Sequence, residues 1–219
     1  MAYEVVLTAK QFCDFLKLLP FGYASKYWSK YPYNCLYNHG KQVNGLIMYS
    51  ADCNNLVKAT IWSKATLPKN KGEFVYKKGL YGLNDLTCEG LIASCSGRSK
   101  DFSKGKIVAG ECMFIPAPKG GYPHIGTFVG EWTGKWNGKQ YTWNTIEATS
   151  CWGIDGILAT YTDEKGRRFD HKGGTQAGTW SEHGKLPWID YGTTPQPTKE
   201  TLEVSVDTAK YGKINITLK

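Results

Sequence analysis

The sequence is poor in histidine and lacks the common metal and nucleotide motifs. Four of its 219 residues are histidine, and no two cysteines stand at C-x-x-C spacing. H-E-x-x-H is also absent, so the usual signatures of zinc sites are missing. No glycine-rich phosphate loop stands between a strand pattern and a helix pattern. We therefore expect neither a metal nor a cofactor.

Long apolar runs are absent as well. No stretch reaches the roughly 20 residues that a transmembrane helix requires, so membrane insertion is not expected. The first residues, MAYEVVLTAKQF, lack the pattern of a signal peptide. We expect a protein that is released from the cytoplasm, or one secreted by a leader that is not in this chain.

The charge balance is basic, with a formal net charge of +8. A basic surface favours nucleic acid, acidic membranes or the anionic polymers of a bacterial wall. The lysines and arginines are scattered rather than grouped in runs, which argues against nucleic acid. Seven cysteines without regular spacing do not form a disulfide framework, so a reducing compartment is favoured.

Hydrophobic periodicity divides the chain into a helical first part and a strand-rich second part. Helices are predicted after Thr8, which forms a capping box with Gln11, after Asp52, and over residues 87–95. From residue 107 the period changes to two, which predicts antiparallel strands and an α+β fold. We expect a domain over 1–192, a linker over 193–201, and a β-hairpin-like tail over 202–219. The two alternatives for the tail are packing on this domain and the start of a truncated C-terminal module.

Cys53 is the cysteine whose position indicates chemistry. Asp52 is a good N-cap, which places Cys53 at the first position of the helix in DCNNLVKATIW. A helix N-terminus stabilises a thiolate by up to ~2 kcal/mol. Lowering a thiol pKa from about 8.5 to about 5 requires about 4.8 kcal/mol, so a histidine cation must supply the rest. The alternative is a buried apolar residue, as most free cysteines are.

His124 and Glu147 are the best partners for Cys53. His124 begins HIGTFVG, the clearest strand pattern in the chain, where a rigid backbone would hold a general base. Glu147 lies in the next strand, as an acid in a mostly apolar segment. The three predict a nucleophile, a base and an orienting acid. A surface histidine and a solvent-facing carboxylate are the structural alternatives.

The register of these two strands stays open in the sequence. A hairpin centred on residues 137–138 places His124 opposite Cys151, whereas a turn nearer residues 135–136 places it opposite Glu147. Both registers keep the histidine and the acid on one face, because the slip is an even number of residues. In the first register Glu147 would lie too far along the strand to reach the histidine.

The order of these motifs resembles the NlpC-type family of papain-like peptidoglycan hydrolases, especially the branch found in phage lysins and gut-bacterial wall hydrolases. An Asp-Cys pair alone is a weak signal, but Asp-Cys followed by a His-x-Gly strand and an acid-bearing strand is a strong one. The resemblance runs through residues 1 to about 191. Its matching segments are DCNNLVKATIW, VAGECMF, PHIGTFVG, NTIEATSCWGIDGILATYTDEKGRR and TWSEHGKLPWIDY.

The resemblance implies N-terminal helices packed on a central antiparallel sheet, with Cys53, His124 and Glu147 as catalytic residues. It implies hydrolysis of a stem-peptide amide bond in bacterial peptidoglycan, between γ-D-glutamate and a diamino acid, by a monomer. The alternatives are an N-acetylmuramoyl-L-alanine amidase on the same scaffold and a non-catalytic wall-binding module.

Further site residues and one insertion are expected from the same resemblance. The backbone N–H of Cys53 is the expected oxyanion donor. The segment EWTGKWNGKQYTW lengthens the connection between the histidine and the acid, and it is predicted to be an inserted loop. The expected supporting residues are Tyr33, Tyr37 and Asp52, and the expected substrate contacts are Asn54 and Trp152.

Overall fold

The structure is a computed structural model that describes most of the chain. The described residues are 3–20, 41–43, 46–48, 51–66, 77–116, 120–121, 123–136, 138–151, 154–176, 178–192, 203–208 and 212–217. Tyr33, Tyr37 and Trp152, named above as site residues, lie outside these ranges, and so does the whole of the expected linker over 193–201.

Three α-helices begin where local capping signals predict them. Helix α1 is Ala9–Lys17, α2 is Cys53–Trp62 and α3 is Cys88–Ser94. Thr8 and Gln11 form the reciprocal capping box of α1, and Thr87 caps α3 by accepting from the N–H of Gly90. Because a cap joins residues only three apart, these helix starts follow from the sequence alone.

Thirteen β-strands and a short 3-10 helix, Leu80–Gly82, are also described, and most of the strands follow α3. Only short pieces precede it, so the predicted order of helices and then strands is confirmed as an α+β arrangement. The strands are β1 Leu7–Thr8, β2 Lys41–Val43, β3 Leu46–Met48, β4 Ser96–Ser99, β5 Cys112–Ile115, β6 His124–Trp136, β7 Lys139–Cys151, β8 Ile154–Thr162, β9 Arg168–Phe169, β10 Glu182–Lys185, β11 Ile189–Asp190, β12 Glu203–Thr208 and β13 Gly212–Thr217.

Nine of these strands form one antiparallel sheet. Its main order is β4-β10-β5-β6-β7-β8-β9, and β6 and β7 are its longest members. The segment EWTGKWNGKQYTW is not an inserted loop, because β6 and β7 continue through it as a paired hairpin. Alternating aromatic and polar residues suit a paired ribbon, since such side chains pack on both faces.

The tail joins this sheet through β13. Strands β12 and β13 pair as the predicted hairpin, and β13 also pairs with β6 at Gly134 and Thr133. Strand β5 pairs with the beginning of the same β6 edge, from His124 to Thr127. The tail therefore lies beside the far end of β6, away from the histidine.

Helix α2 packs against β6 and β7, α1 packs against β6 and α2, and together they enclose the main core. One apolar face of α1 is buried, including Phe12 and Leu16. Helix α2 is buried on nearly every side, and Asn54 is its one half-buried residue. Its buried Lys58 is neutralised by Asp85 and donates to the carbonyl of Leu86. This enclosure fixes the N-terminus of α2 against the beginning of β6.

Candidate active site

The first turn of α2 holds Cys53 in a defined place. Asp52 is the N-cap, and its Oδ1 accepts from the N–H of Asn55 at 2.8 Å. Cys53 is therefore the first residue of the helix, as predicted, and its side chain is 9 % exposed. The first N–H groups of a helix lack partners within the helix, so the N–H of Cys53 can donate to a bound group.

His124 stands at the first position of β6 and contacts both other members of the predicted set. Its Nε2 lies 2.6 Å from Oε2 of Glu147. Cys53 and the imidazole are hydrogen-bonded, and Nδ1 is the ring nitrogen left for the sulfur. The predicted approach of Glu147 to a ring nitrogen within hydrogen-bond range is thus confirmed.

Glu147 reaches the histidine in neither of the two predicted registers. Near the turn, Trp136 pairs with Lys139, as in the hairpin centred on residues 137–138. The register then shifts between Phe128 and Trp132, and beyond this irregularity Gly126 pairs with Glu147. His124 is two residues further along, a diagonal of roughly 7 Å that long side chains can bridge.

Arg168, on β9, is a residue of the site that the sequence analysis missed. Its guanidinium donates to both carboxylate oxygens of Glu147, and Thr160 Oγ1 donates to Oε1 at 2.5 Å. Glu147 is fully buried and Arg168 is 6 % exposed, so the solvent-facing alternative for Glu147 is wrong. The one sequence signal for this partner was Glu147 itself, because a buried carboxylate requires a charged or hydrogen-bonding partner.

Trp180 covers the histidine and closes the site on one side. Its ring stacks on the His124 ring with centroids 5.5 Å apart and planes 14° apart. The Arg168 guanidinium lies 5.0 Å from the Trp180 ring centre, and Trp180 Nε1 donates to Thr162. Arginine, tryptophan, histidine and glutamate therefore form a closed ring of contacts that restricts the imidazole.

The electrostatics favour a thiolate–imidazolium pair. Hydrogen bonding with Cys88, together with the hydrogen bond and charge of His124 and the N–H of Ile125, lowers the pKa of Cys53 to about 4 against the effect of burial. Burial would lower the pKa of His124, but its bonds to Cys53 and Glu147 raise it to about 9. The Pro123 carbonyl oxygen lies 3.9 Å from the Cys53 sulfur and could accept a hydrogen bond from a neutral thiol. A thiolate carries no proton, so it does not make this hydrogen bond.

Glu147 stays ionised beside this pair. Burial opposes its charge, but the Arg168 guanidinium and His124 lower its pKa to about 2. An ionised carboxylate only accepts hydrogen bonds, so Nε2 of His124 must carry a proton. The proton that moves during a reaction is therefore the one on Nδ1, next to Cys53.

The two other described site residues flank Cys53. Burial raises the pKa of Asp52 to about 7, while its hydrogen bond from Asn55 opposes that change. Asn54 follows Cys53, and its Oδ1 is buried without a hydrogen-bond partner among the described residues. Buried acceptors without a partner are uncommon in folded proteins.

The remaining described histidines pair elsewhere. His183 is buried, with Nδ1 against Glu111 and Nε2 against the carbonyl of Asp101 at 3.0 Å. His171 pairs with Asp170. Within the described ranges, no group of three or more His, Cys, Asp or Glu is placed to hold a metal ion. The helices described here are all too short or too polar to span a membrane.

Comparison with known proteins does not identify a family. No family model matches the chain, and no curated protein or solved structure is similar enough to count as a match.

Proposed function

We propose that the chain is a cysteine hydrolase that cleaves an amide bond in the stem peptide of bacterial peptidoglycan. The observation that carries this proposal is the position of His124, hydrogen-bonded to Cys53 on one side and 2.6 Å from Glu147 on the other. A nucleophile, a base and an orienting acid in contact are the arrangement that supports acyl transfer through a thioester.

Each of the three residues takes a defined part in the proposed reaction. The Cys53 thiolate attacks the amide carbonyl carbon, and the His124 imidazolium then gives its proton to the leaving amine. The resulting thioester is hydrolysed by a water molecule that loses a proton to the neutral imidazole, and the acid product leaves as the thiolate re-forms. Glu147 keeps the second imidazole proton on Nε2, so Nδ1 serves both transfers.

The developing oxyanion requires hydrogen-bond donors. The N–H of Cys53, at the start of α2, is the proposed donor, and the helix dipole adds to its effect. In the proposed papain-like architecture, a buried helix presents the nucleophile to a histidine on an antiparallel sheet. The packing of α2 on β6 and β7 supports it.

Two features of the sequence favour a wall substrate. The ordered motifs from DCNNLVKATIW to TWSEHGKLPWIDY resemble NlpC-type hydrolases. The net charge of +8 attracts anionic wall polymers and raises the local concentration of the enzyme on them.

Digestion of purified peptidoglycan tests the proposal. The protein and its Cys53→Ala variant are incubated with walls of several chemotypes, and released fragments are analysed by mass spectrometry. Fragments that end in γ-D-glutamate support the endopeptidase, and a free lactyl group with an N-terminal alanine indicates the muramoyl-alanine amidase instead. Binding to walls without any wild-type-specific fragment would overturn the hydrolase and favour a wall-binding module.

A further inference from the structure

A second thiol lies against the proposed nucleophile. Cys88, the first residue of α3, has its Sγ 3.9 Å from Cys53 Sγ, within reach of an S–H···S hydrogen bond. Both side chains are buried, with exposures of 4 % for Cys88 and 9 % for Cys53. The α3 helix thus brings to the site a group that the mechanism above does not use.

The charges around the two sulfurs decide which one ionises. His124, on β6, touches Cys53 and is positive, whereas the charges that act most on Cys88 are negative and come from Cys53, Glu89 and Asp52. Two thiolates at this distance in a buried site would repel each other strongly. The pair therefore holds one negative charge, on Cys53, and Cys88 keeps its proton.

We propose that Cys88 is a positioning residue whose S–H donates to the Cys53 thiolate. This inference rests on the assignment of Cys53 as the nucleophile. The thiolate is then held from three directions, by Cys88, by the His124 imidazolium and by the N–H of Ile125. Such a bond keeps the sulfur ionised at mildly acidic pH and restricts its position.

The donor also affects reactivity. A hydrogen-bonded thiolate is less basic, and thiolate nucleophilicity falls as its basicity falls. Removal of Cys88 is therefore expected to reduce the fraction of thiolate at low pH while making each thiolate more reactive. A buried cysteine that only fills space would change neither property.

The test is the pH dependence of Cys53 alkylation by iodoacetamide, read by peptide mass spectrometry, which needs no wall substrate. Cys88→Ala removes the donor, and Cys88→Ser retains an O–H donor of similar size. Cys13→Ala is the matched control, because Cys13 is another buried thiol, on α1. Cys88→Ala should raise the midpoint of the alkylation titration, and the thiolate fraction on the acid limb falls about tenfold for each pKa unit. Because each remaining thiolate is more reactive, the alkylation rate there should fall by about threefold to fourfold per unit. Cys88→Ser should recover most of the lost alkylation rate.

Equal titration midpoints in the wild type and Cys88→Ala would overturn the proposal. If Cys88→Ala does not fold, the titration of Cys88 in the wild type and in Cys53→Ala still tests the proposal. Loss of the Cys53 charge should let Cys88 ionise at lower pH, as followed by ultraviolet thiolate absorbance, and an unchanged Cys88 titration refutes the bond.

The outcome separates this proposal from the proposed function. A shifted titration without wall cleavage supports the role of Cys88 and rejects the hydrolase. Wall cleavage with an unshifted titration rejects the role of Cys88 and leaves the hydrolase intact.

Discussion

Glu147 pairs with Gly126 across β6 and β7, yet its carboxylate binds the side chain of His124, two residues along β6. Trp180 occupies the space over Gly126. A Cβ at residue 126 would lie 2.8 Å from the Trp180 ring and 3.3 Å from the Glu147 Cβ. The glycine therefore allows both the diagonal reach of the acid and the stacking of the tryptophan on the histidine.

Gly126→Ala is expected to reduce turnover roughly 10- to 100-fold, because Trp180 must shift and a displacement near 1 Å at a catalytic group is costly. Steady-state kinetics on a soluble stem peptide measure the effect. Gly105→Ala is the control for strain away from the site: residue 105 is exposed with open space around it, and its φ of +81° makes an alanine strained there. It should lower stability and leave turnover unchanged. Wild-type turnover in Gly126→Ala would show that the stacking is dispensable.

Cys53→Ala is expected to abolish wall lysis and to keep the fold, because little volume is removed. Turbidity clearing and circular dichroism measure the two properties. Near pH 6, alkylation of the wild type should select Cys53, since burial raises the pKa of Cys13 and of Cys95 to about 12. Equal labelling of several cysteines would contradict the thiolate–imidazolium pair.

Glu147 variants are expected to lose activity in the order Gln, then Ala, with Cys53→Ala the least active. A glutamine still accepts a hydrogen bond from His124, whereas an alanine does not. Glu147→Ala also leaves the Arg168 cation buried without its partner, so a loss of about 3–5 kcal/mol in unfolding free energy is expected. Denaturant titration and kinetics measure the two effects.

The double variant Glu147→Ala with Arg168→Met separates stability from catalysis. Removing the buried cation together with the anion should recover most of the lost stability but none of the lost turnover. Recovery of turnover along with stability would mean that Glu147 supports the fold and does not orient His124.

The pH profile of kcat/KM should be bell-shaped, with limbs near pH 4 and pH 9. The pKa of Cys53 is depressed, so its thiolate is present above about 4, and the pKa of His124 is raised, so its imidazolium is present below about 9. Because Cys53 and His124 interact, the two pKa values that set the limbs belong to the pair as a whole. Glu147→Gln should move the alkaline limb downward, because it removes the charge that stabilises the imidazolium. An alkaline limb near 6.5 in the wild type would contradict the pairing.

Deletion of residues 198–219 should spare hydrolysis of a small soluble peptide. The tail pairs with β6 at Thr133 and Gly134, nine residues from His124, which is roughly 30 Å along a strand. The melting temperature should fall modestly, since backbone pairs at the β6 edge are lost. Loss of peptide hydrolysis in a folded truncated protein would show that the tail contributes to the site.

The sequence by itself determined the elements whose signals are local. The Asp52 cap places Cys53 at the start of α2 because a side chain and an N–H three residues apart decide it. The change of period at residue 107 predicts the sheet, and the sheet order of β5 to β8 follows the chain. His124 and Glu147 could be placed on one face because that property survives any even shift of register.

Only the tertiary structure decided which groups meet. The irregularity in β6 changes the register by two residues, and alternation cannot reveal this because the pattern is unchanged. Arg168, Trp180 and Cys88 carry no local signal, since each reaches the site from a distant segment. Their roles arise from packing, which brings a buried cation, an aromatic ring and a thiol against groups that would otherwise lack partners.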